Sequence, residues 1–255
     1  MFLMLLKQGK LKDTCILLLS NIGFAYFFEY PTLNLFFGYK YKPKIMKKPI
    51  FDTILGAIFS QGLYVPIAAT FLTTLKKNWK WKLSFSLGYF CIENIFVRLK
   101  IYKVYWWKPL LTPVLITLYF YISDYFYKFL LEQKEWAKKL AHYLSIEVLW
   151  ITIMYFSAMK RYIRFGWKKH TWVEHFKIAP LYSIVLSLIA TITSARDGFI
   201  YKLLLPISQL VLDATLVKWK ILKVDIKNIL FTSSRYLVMP FVSRYFYKII
   251  YKKEE

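Results

Sequence analysis

The chain contains few acidic residues and none of the short motifs that mark common catalytic sites. Its 255 residues include 14 Asp and Glu against 37 Lys and Arg. The GxSxG, Walker and HExxH motifs are absent, and so is the DxxD type of acidic cluster that holds magnesium for phosphate chemistry. These absences exclude the serine hydrolases, nucleotide hydrolases and zinc proteases that are recognised by those motifs.

Cysteine and histidine are also scarce. Cys15 and Cys91 lie inside apolar runs without a CxxC neighbour, which is typical of small core residues and not of a disulfide or a zinc site. His170, Glu174 and His175 form the one His-rich cluster. On a helix His175 would point about 100° away from Glu174, so this cluster alone would not surround a metal ion. The sequence predicts neither a metal site nor a cofactor.

Apolar residues are abundant, at 58% of the chain, and 20% of all residues are aromatic. The charged residues gather in short basic clusters between apolar runs that are long enough to cross a bilayer. Trp and Tyr favour the headgroup region, and Lys and Arg at the ends of such runs can reach anionic headgroups. The sequence therefore predicts an integral membrane protein, and the net charge of +23 indicates contact with lipid and not with nucleic acid.

Seven apolar runs predict an all-α polytopic bundle within residues 1–217. The predicted spans are approximately 14–37, 50–75, 83–99, 109–131, 140–159, 178–195 and 199–217. Residues 218–255 are predicted to form a basic amphipathic segment in the interface, because Lys223, Lys227, Arg235 and Arg244 interrupt its apolar clusters. Each Lys or Arg at the centre of a span costs about 2.5–3.5 kcal/mol.

The distribution of cations predicts the orientation of these seven spans. More Lys and Arg residues fall on the side that holds the C-terminus than on the side that holds the N-terminus. Because cytoplasmic loops carry the excess of positive charge, we expect a plasma-membrane protein with a cytoplasmic C-terminus.

Polar residues inside the apolar runs are the candidates for function, since each is costly in hydrocarbon. They are Glu29, Glu93, Asn94, Asp124, Glu147 and Asp213. Glu93 and Glu147 are the candidate catalytic residues, because two carboxylates on separate helices can act as general acid and base if they lie close together. The alternative is that each is a hydrogen-bonded strut between helices.

A second group of residues, basic and aromatic, is predicted to lie in the interface. It consists of Trp79, Lys80, Trp81, Lys82, Trp167, Lys168, Lys169 and His170. One interpretation is recognition of anionic lipid, to which each cation near the surface contributes about 1 kcal/mol. The other is ordinary anchoring of the helix ends in the bilayer.

The order of features from residue 112 to residue 176 resembles a family of small, uncharacterised multi-pass membrane proteins of spore-forming Firmicutes. The features are Thr112-Pro113, Glu147, Gly166-Trp167 and His170-Thr171. A weaker match in the first half of the chain includes Pro31 and Glu93. The interval from proline to glutamate is 62 residues in this weaker match and 34 residues in the match at 112–176. The unequal intervals do not predict a clean duplication. The resemblance implies a bacterial plasma-membrane location and a link to sporulation, but no reaction.

Three functions remain open from the sequence. The leading hypothesis is a structural or accessory component of a bacterial membrane that organises lipid or a membrane-protein partner. The alternative is a membrane-embedded enzyme or carrier that acts on a lipid or lipid-linked headgroup through Glu93 and Glu147. A proton- or cation-coupled transporter is a weaker hypothesis, because such folds are usually built from two comparable halves and the chain is short.

Overall fold

The computed structural model describes residues 11–167, 169–225 and 229–251, in which eight long helices are joined by turns and short strands. The helices are α1 Leu11–Leu35, α2 Pro49–Thr74, α3 Trp79–Arg98, α4 Leu111–Leu131, α5 Glu135–Met159, α6 Trp172–Ser194, α7 Phe199–Lys218 and α8 Ile229–Tyr251. The strands are β1 Tyr39–Tyr41, β2 Tyr102–Val104, β3 Ile163–Phe165 and β4 Leu222–Val224.

Six of these helices are long and apolar enough to cross a membrane, namely α1, α2, α4, α5, α6 and α7. The prediction of an all-α, multi-pass membrane protein is thereby confirmed. The third predicted span, at residues 83–99, corresponds to α3, which is helical but is not among the six. The short strands were not predicted.

The chain divides into two compact units, Met1–Ala137 and Lys138–Glu255. This division differs from the predicted one, which separated a bundle at residues 1–217 from a segment at residues 218–255. Both units have the same order of elements, which is helix, strand, helix, helix, strand and helix. In both, the two strands pair in an antiparallel sense, with Tyr39 opposite Val104 in the first and Ile163 opposite Val224 in the second.

From the third helix of each unit onward, equivalent elements are also separated by a constant spacing in sequence, whereas β1 and β3 begin 124 positions apart (Tyr39 and Ile163). The helices α3 and α7, and the strands β2 and β4, begin exactly 120 positions apart (Trp79 and Phe199, Tyr102 and Leu222). Lys100 and Lys220, also 120 positions apart, both precede the strand with a positive φ of 58°. Near the ends of α4 and α8 the pattern Ser-x-Tyr-Phe-Tyr-Lys occurs at residues 123–128 and again at 243–248. The chain is therefore a tandem repeat.

The unequal intervals from Pro31 to Glu93 and from Pro113 to Glu147 do not exclude a duplication. Pro31 lies in α1 and Pro113 lies in α4, so the two prolines occupy different places in the repeat. The residue equivalent to Glu93 is Asp213, because each lies 14 positions after the first residue of its helix, Trp79 in α3 and Phe199 in α7.

The two units differ in the regularity of their first two helices. In the first unit α1 ends in a π-helical turn at Tyr30–Leu35, and α2 contains another at Ser60–Tyr64. Each π turn interrupts an otherwise regular α-helix, and such turns are frequent at functional sites. In the second unit α5 and α6 are described as α-helical throughout.

The helix α8 occupies most of the predicted interfacial segment, but it packs inside the second unit. Met239, near the middle of α8, is fully buried in a core with residues of α5, α6 and α7. Arg235 pairs with Asp213 of α7, whereas Arg244 donates to the carbonyl oxygen of Ser194 at the end of α6, at 2.6 Å. The basic residues that predicted a surface helix are thus used partly in contacts within the unit.

Candidate functional site

The strand pair of the first unit brings three tyrosines together. Alternate residues of a strand point to the same face, so Tyr39 and Tyr41 of β1 share a face, while Tyr102 of β2 lies opposite Tyr41. The ring centroid of Tyr102 is 5.2 Å from that of Tyr39 and 5.1 Å from that of Tyr41. Trp107 also packs against this group, and its ring centroid is 5.3 Å from that of Tyr39. We call Tyr39, Tyr41, Tyr102 and Trp107 the aromatic cluster.

Glu29 approaches the aromatic cluster from α1, immediately before the first π turn. The Tyr39 hydroxyl donates a hydrogen bond of 2.5 Å to its Oε2 atom. Gln61, in the π turn of α2, also interacts with the carboxyl group. The side chain is buried, and its Oε1 atom has no hydrogen-bond partner among the described residues.

Glu93 approaches the same cluster from α3. It accepts a hydrogen bond from the hydroxyl of Thr112 and also interacts with Trp107. Its Oε1 atom, like that of Glu29, lacks a partner in the described part of the chain. Burial raises the pKa of the Tyr102 phenol, and Tyr41, Glu93 and Glu29 raise it further, so both carboxyl groups lie near this one ring.

Asp213, the equivalent of Glu93, has a different environment. It accepts hydrogen bonds from Tyr182 at 2.6 Å, from Tyr236 at 2.5 Å and from the guanidinium group of Arg235 at 2.5 Å. The Asp213 and Arg235 side chains are only 7% and 4% exposed, so the pair is buried. The second unit therefore neutralises this carboxylate with a cation of its own.

The described part of the first unit has no arginine at the equivalent position. The position equivalent to Arg235, 120 residues earlier, is Leu115 of α4. Leu115 packs against the core cluster that contains Tyr39, Tyr102 and Trp107. Among the described residues, no lysine or arginine pairs with Glu29 or Glu93. The two units thus place a carboxylate at the same position of the repeat, but among the described residues only that of the second unit has a counter-ion.

Glu147, the other candidate catalytic residue, belongs to the second unit. Its two carboxyl oxygens accept hydrogen bonds from Ser183 at 2.7 Å and from Ser187 at 2.6 Å, both on α6. The side chain is almost completely buried. This arrangement joins α5 to α6, as expected for a hydrogen-bonded strut. The partners of Glu93 lie in the first unit, whereas those of Glu147 lie in the second.

The remaining intramembrane candidates make contacts within the first unit. Asp124 accepts from the ammonium group of Lys82 and from the hydroxyl of Thr73, the latter at 2.7 Å. The Asn94 side chain donates to the carbonyl oxygen of Phe90, four residues earlier in α3, at 2.7 Å. Asp124 therefore joins three helices, whereas Asn94 bonds within its own helix.

The predicted interfacial residues separate into two groups. Trp79, Lys80, Trp81, Trp167 and Lys169 are exposed, as expected for side chains that reach the headgroup region. Lys82 and His170 are buried instead, at 3% and 4% exposed. Lys82 is buried because it pairs with Asp124, so it is not a surface anchor. Lys168 lies outside the described residues.

Within the described ranges, no group of three His, Cys, Asp or Glu side chains could hold a metal ion. Comparison of the chain with models of protein families, with curated proteins and with solved structures finds no match. The chemistry of the two units is therefore the basis for a functional proposal.

Sequence reasoning identified Glu29, Glu93 and Asp213 but missed the partners that distinguish them. Arg235 was assigned to an interfacial segment, and the tyrosines of the strand pair were not assigned a role. The signal that could have found them is the 120-residue spacing. Lys-Ile-x-Lys-Val occurs at residues 100–104 and again at 220–224, and it aligns Glu93 with Asp213 and Leu115 with Arg235.

Proposed function

We propose that this multi-pass membrane protein binds a positively charged nitrogen group at Glu29 and Glu93, as a carrier or receptor for an amine-bearing ligand. The observation that carries the proposal is the difference between the units. Asp213 has a guanidinium partner from its own unit, and the equivalent Glu93 has none among the described residues. The ligand would supply the charge that Arg235 supplies in the second unit.

The energetics of buried carboxylates favour such a partner. A carboxylate removed from water is costly unless it is paired and hydrogen-bonded. Hydrogen bonds from ammonium or guanidinium groups to carboxylates are shorter and about twice as strong as neutral ones. Among the described residues, each glutamate has one oxygen without a hydrogen-bond partner, and that oxygen has lone pairs to accept from an additional N–H donor.

The surroundings of Glu93 and Asp213 also differ in accessibility. Asp213 is buried, whereas Glu93 is half-buried. The π turns next to Glu29 and at Gln61 occur only in the first unit among the described residues, which fits specialisation of that unit for binding.

The ammonium group could belong to a soluble amine or to a lipid headgroup. Thermal unfolding of the purified protein in detergent, with ethanolamine as the probe and ethylene glycol as the uncharged control, tests the proposal. At a concentration one hundred times the Kd, a bound ligand adds about 2.7 kcal/mol of stability. For a chain of this size that corresponds to a rise in Tm of about 5–10 °C.

The matched variants are Glu93→Gln and Glu147→Gln. We expect Glu93→Gln to lose the ethanolamine shift and Glu147→Gln to keep it, because Glu147 is already bonded to two serines. If ethanolamine does not raise the Tm but nanodiscs of phosphatidylethanolamine stabilise the protein more than those of phosphatidylglycerol, the ligand is a lipid headgroup. An equal shift in wild type and Glu93→Gln, or no shift in either arm, would refute the proposal.

A structural or accessory role is the second candidate. The exposed Trp79, Lys80, Trp81, Trp167 and Lys169 favour anchoring at a lipid surface that carries anionic headgroups. The proposed setting is the plasma membrane of a bacterium. Greater retention of phosphatidylglycerol than of phosphatidylcholine in native mass spectrometry, lost when these lysines are neutralised, would support that role.

A further inference from the structure

The strand pairs constrain how many times the chain crosses the membrane. The strands β1 and β2 are hydrogen-bonded to each other, so they lie on the same side of the bilayer. Between them the chain passes through α2 and α3. Since α2 is long and apolar enough to cross, α3 must cross back for β2 to meet β1. The same parity holds in the second unit, where α6 and α7 separate the paired strands.

The repeat leads independently to the same conclusion for α3 and extends it to α8. The equivalent of α3 is α7, and the equivalent of α8 is α4; both α7 and α4 are among the six candidate spans. With 20 and 23 residues, α3 and α8 are about 30 and 35 Å long at about 1.5 Å per residue. Both lengths match the hydrocarbon core of a bilayer, which is about 30 Å thick.

The contacts of α8 extend along the whole second unit. Arg235, near the start of α8, contacts Asp213 in the half of α7 that leads to β4. Arg244, near its end, contacts Ser194 and Asp197 at the turn between α6 and α7, which is the opposite end of these helices. The helix α8 therefore runs beside two candidate spans from one end to the other.

The charges that count against α3 and α8 as spans are placed where their cost is reduced. In α3, Lys80 and Arg98 lie in the terminal turns, where long side chains reach the headgroups. Lys82 of the first turn pairs with Asp124, and Glu93, within the helix, accepts a hydrogen bond from the hydroxyl of Thr112. In α8, Arg235 and Arg244 are paired with Asp213 and Asp197. Pairing is the usual way in which arginine is accommodated within a membrane-spanning helix.

We infer that the chain crosses the membrane eight times, four times in each unit, with α3 and α8 as crossings. An even number of crossings places the start of α1 and the end of α8 on the same side. The eighth crossing replaces the interfacial helix predicted from composition. This inference does not depend on the proposed ligand.

Single-cysteine labelling of the full chain in sealed membrane vesicles tests the inference. Cys15 and Cys91, which are free and exposed, are first replaced by alanine. Four exposed lysines are then changed to cysteine one at a time: Lys47 before α2, Lys108 before α4, Lys134 before α5 and Lys248 in the last turn of α8. An impermeant maleimide reports the accessible side, and labelling after addition of detergent shows that each thiol is reactive.

With eight crossings, Lys47→Cys and Lys108→Cys label alike, and Lys134→Cys and Lys248→Cys label alike from the opposite side. If Lys108→Cys labels differently from Lys47→Cys, α3 does not cross. If Lys248→Cys labels with Lys47→Cys and Lys108→Cys, α8 remains on the side of the strands and the chain crosses seven times. Either result would overturn the inference. Elution of each variant as a single peak in gel filtration separates a change of topology from misfolding.

Discussion

The carboxylates within the long helices have different kinds of partner. Asp213 has the guanidinium group of Arg235, Asp124 has the ammonium group of Lys82, and Glu147 has two serine hydroxyls. Glu29 and Glu93 also have hydroxyl donors, but unlike Glu147 each has one oxygen without a hydrogen-bond partner among the described residues. This difference is visible only residue by residue, and it separates structural carboxylates from the two that we assign to a ligand.

The position of Leu115 provides a direct test of that assignment. In Leu115→Arg the first unit receives a guanidinium group at the place that Arg235 occupies in the second. We expect the new arginine to pair with Glu93 and to abolish the ethanolamine shift, with little loss of Tm, because a hydrogen bond to a charged group contributes about 1.5–3 kcal/mol. Thermal unfolding with and without ethanolamine measures both effects. Leu115→Met is the control and should keep the shift; a Leu115→Arg variant that also keeps it contradicts the assignment.

The reciprocal change concerns Arg235. In Arg235→Leu the buried Asp213 loses its counter-ion, and removal of one partner of a buried ion pair costs about 3–5 kcal/mol. We expect a large fall in Tm in detergent. Adding Asp213→Asn to Arg235→Leu should recover part of the loss, because the remaining amide carries no charge. If the double variant is no more stable than Arg235→Leu, the ion pair is not the reason for the fall.

At the scale of elements, the strand pairs and π turns determine where the functional side chains meet. The strand β1 lies against α2 at Gly56, where an added Cβ would overlap with the Cβ atom of Tyr41. The aromatic cluster is therefore held in place by a glycine in the middle of an apolar helix. Gly88 of α3 has open space around it and serves as a comparison.

These two glycines give a matched pair of substitutions. Gly56→Ala should lower stability by about 1–3 kcal/mol, the usual cost of forcing atoms into a packed site. Gly88→Ala should be neutral or stabilising by up to about 1 kcal/mol, since alanine is the better helix former. Thermal unfolding of both variants in the same detergent compares them. Equal effects would mean that the contact between β1 and α2 does not constrain the strand pair.

The apolar runs of the sequence predicted the first and last residues of most helices to within a few positions. The predicted spans at 50–75, 109–131 and 199–217 correspond to α2 at 49–74, α4 at 111–131 and α7 at 199–218. The strands could not be predicted in the same way, because three residues carry too little periodicity and their pairing joins positions about 60 residues apart. The basic residues of α8 predicted an interfacial helix. The sequence does not show that Arg235 pairs with Asp213, so it could not predict that this charge is buried within the second unit.

At the scale of the whole molecule, the bilayer is the solvent for the outer surface. Apolar side chains such as Leu118, at the middle of α4, and Val211, in α7, are more than half exposed. Exposure of apolar side chains costs nothing when they face hydrocarbon, whereas a charge there is expensive. The lipid-facing surface can therefore be tested by charge substitution.

Leu118→Lys places a cation at the middle of a candidate span, at a cost of about 2.5–3.5 kcal/mol for insertion. Leu131→Lys places the same cation at the end of α4, where the side chain reaches the headgroups, and the cost should be small. The fraction of protein integrated into membranes should fall for Leu118→Lys and remain near the wild-type level for Leu131→Lys. Similar integration of both variants would show that the exposed face of α4 does not contact lipid.

The sequence by itself determined that this is an all-α membrane protein, because the length and apolarity of a span depend on local composition alone. It also identified the polar residues within the spans, since each is conspicuous among apolar neighbours. The tertiary structure alone showed the strand pairs and the partner of each carboxylate. These depend on contacts between residues far apart in the chain, and composition does not report which residues meet.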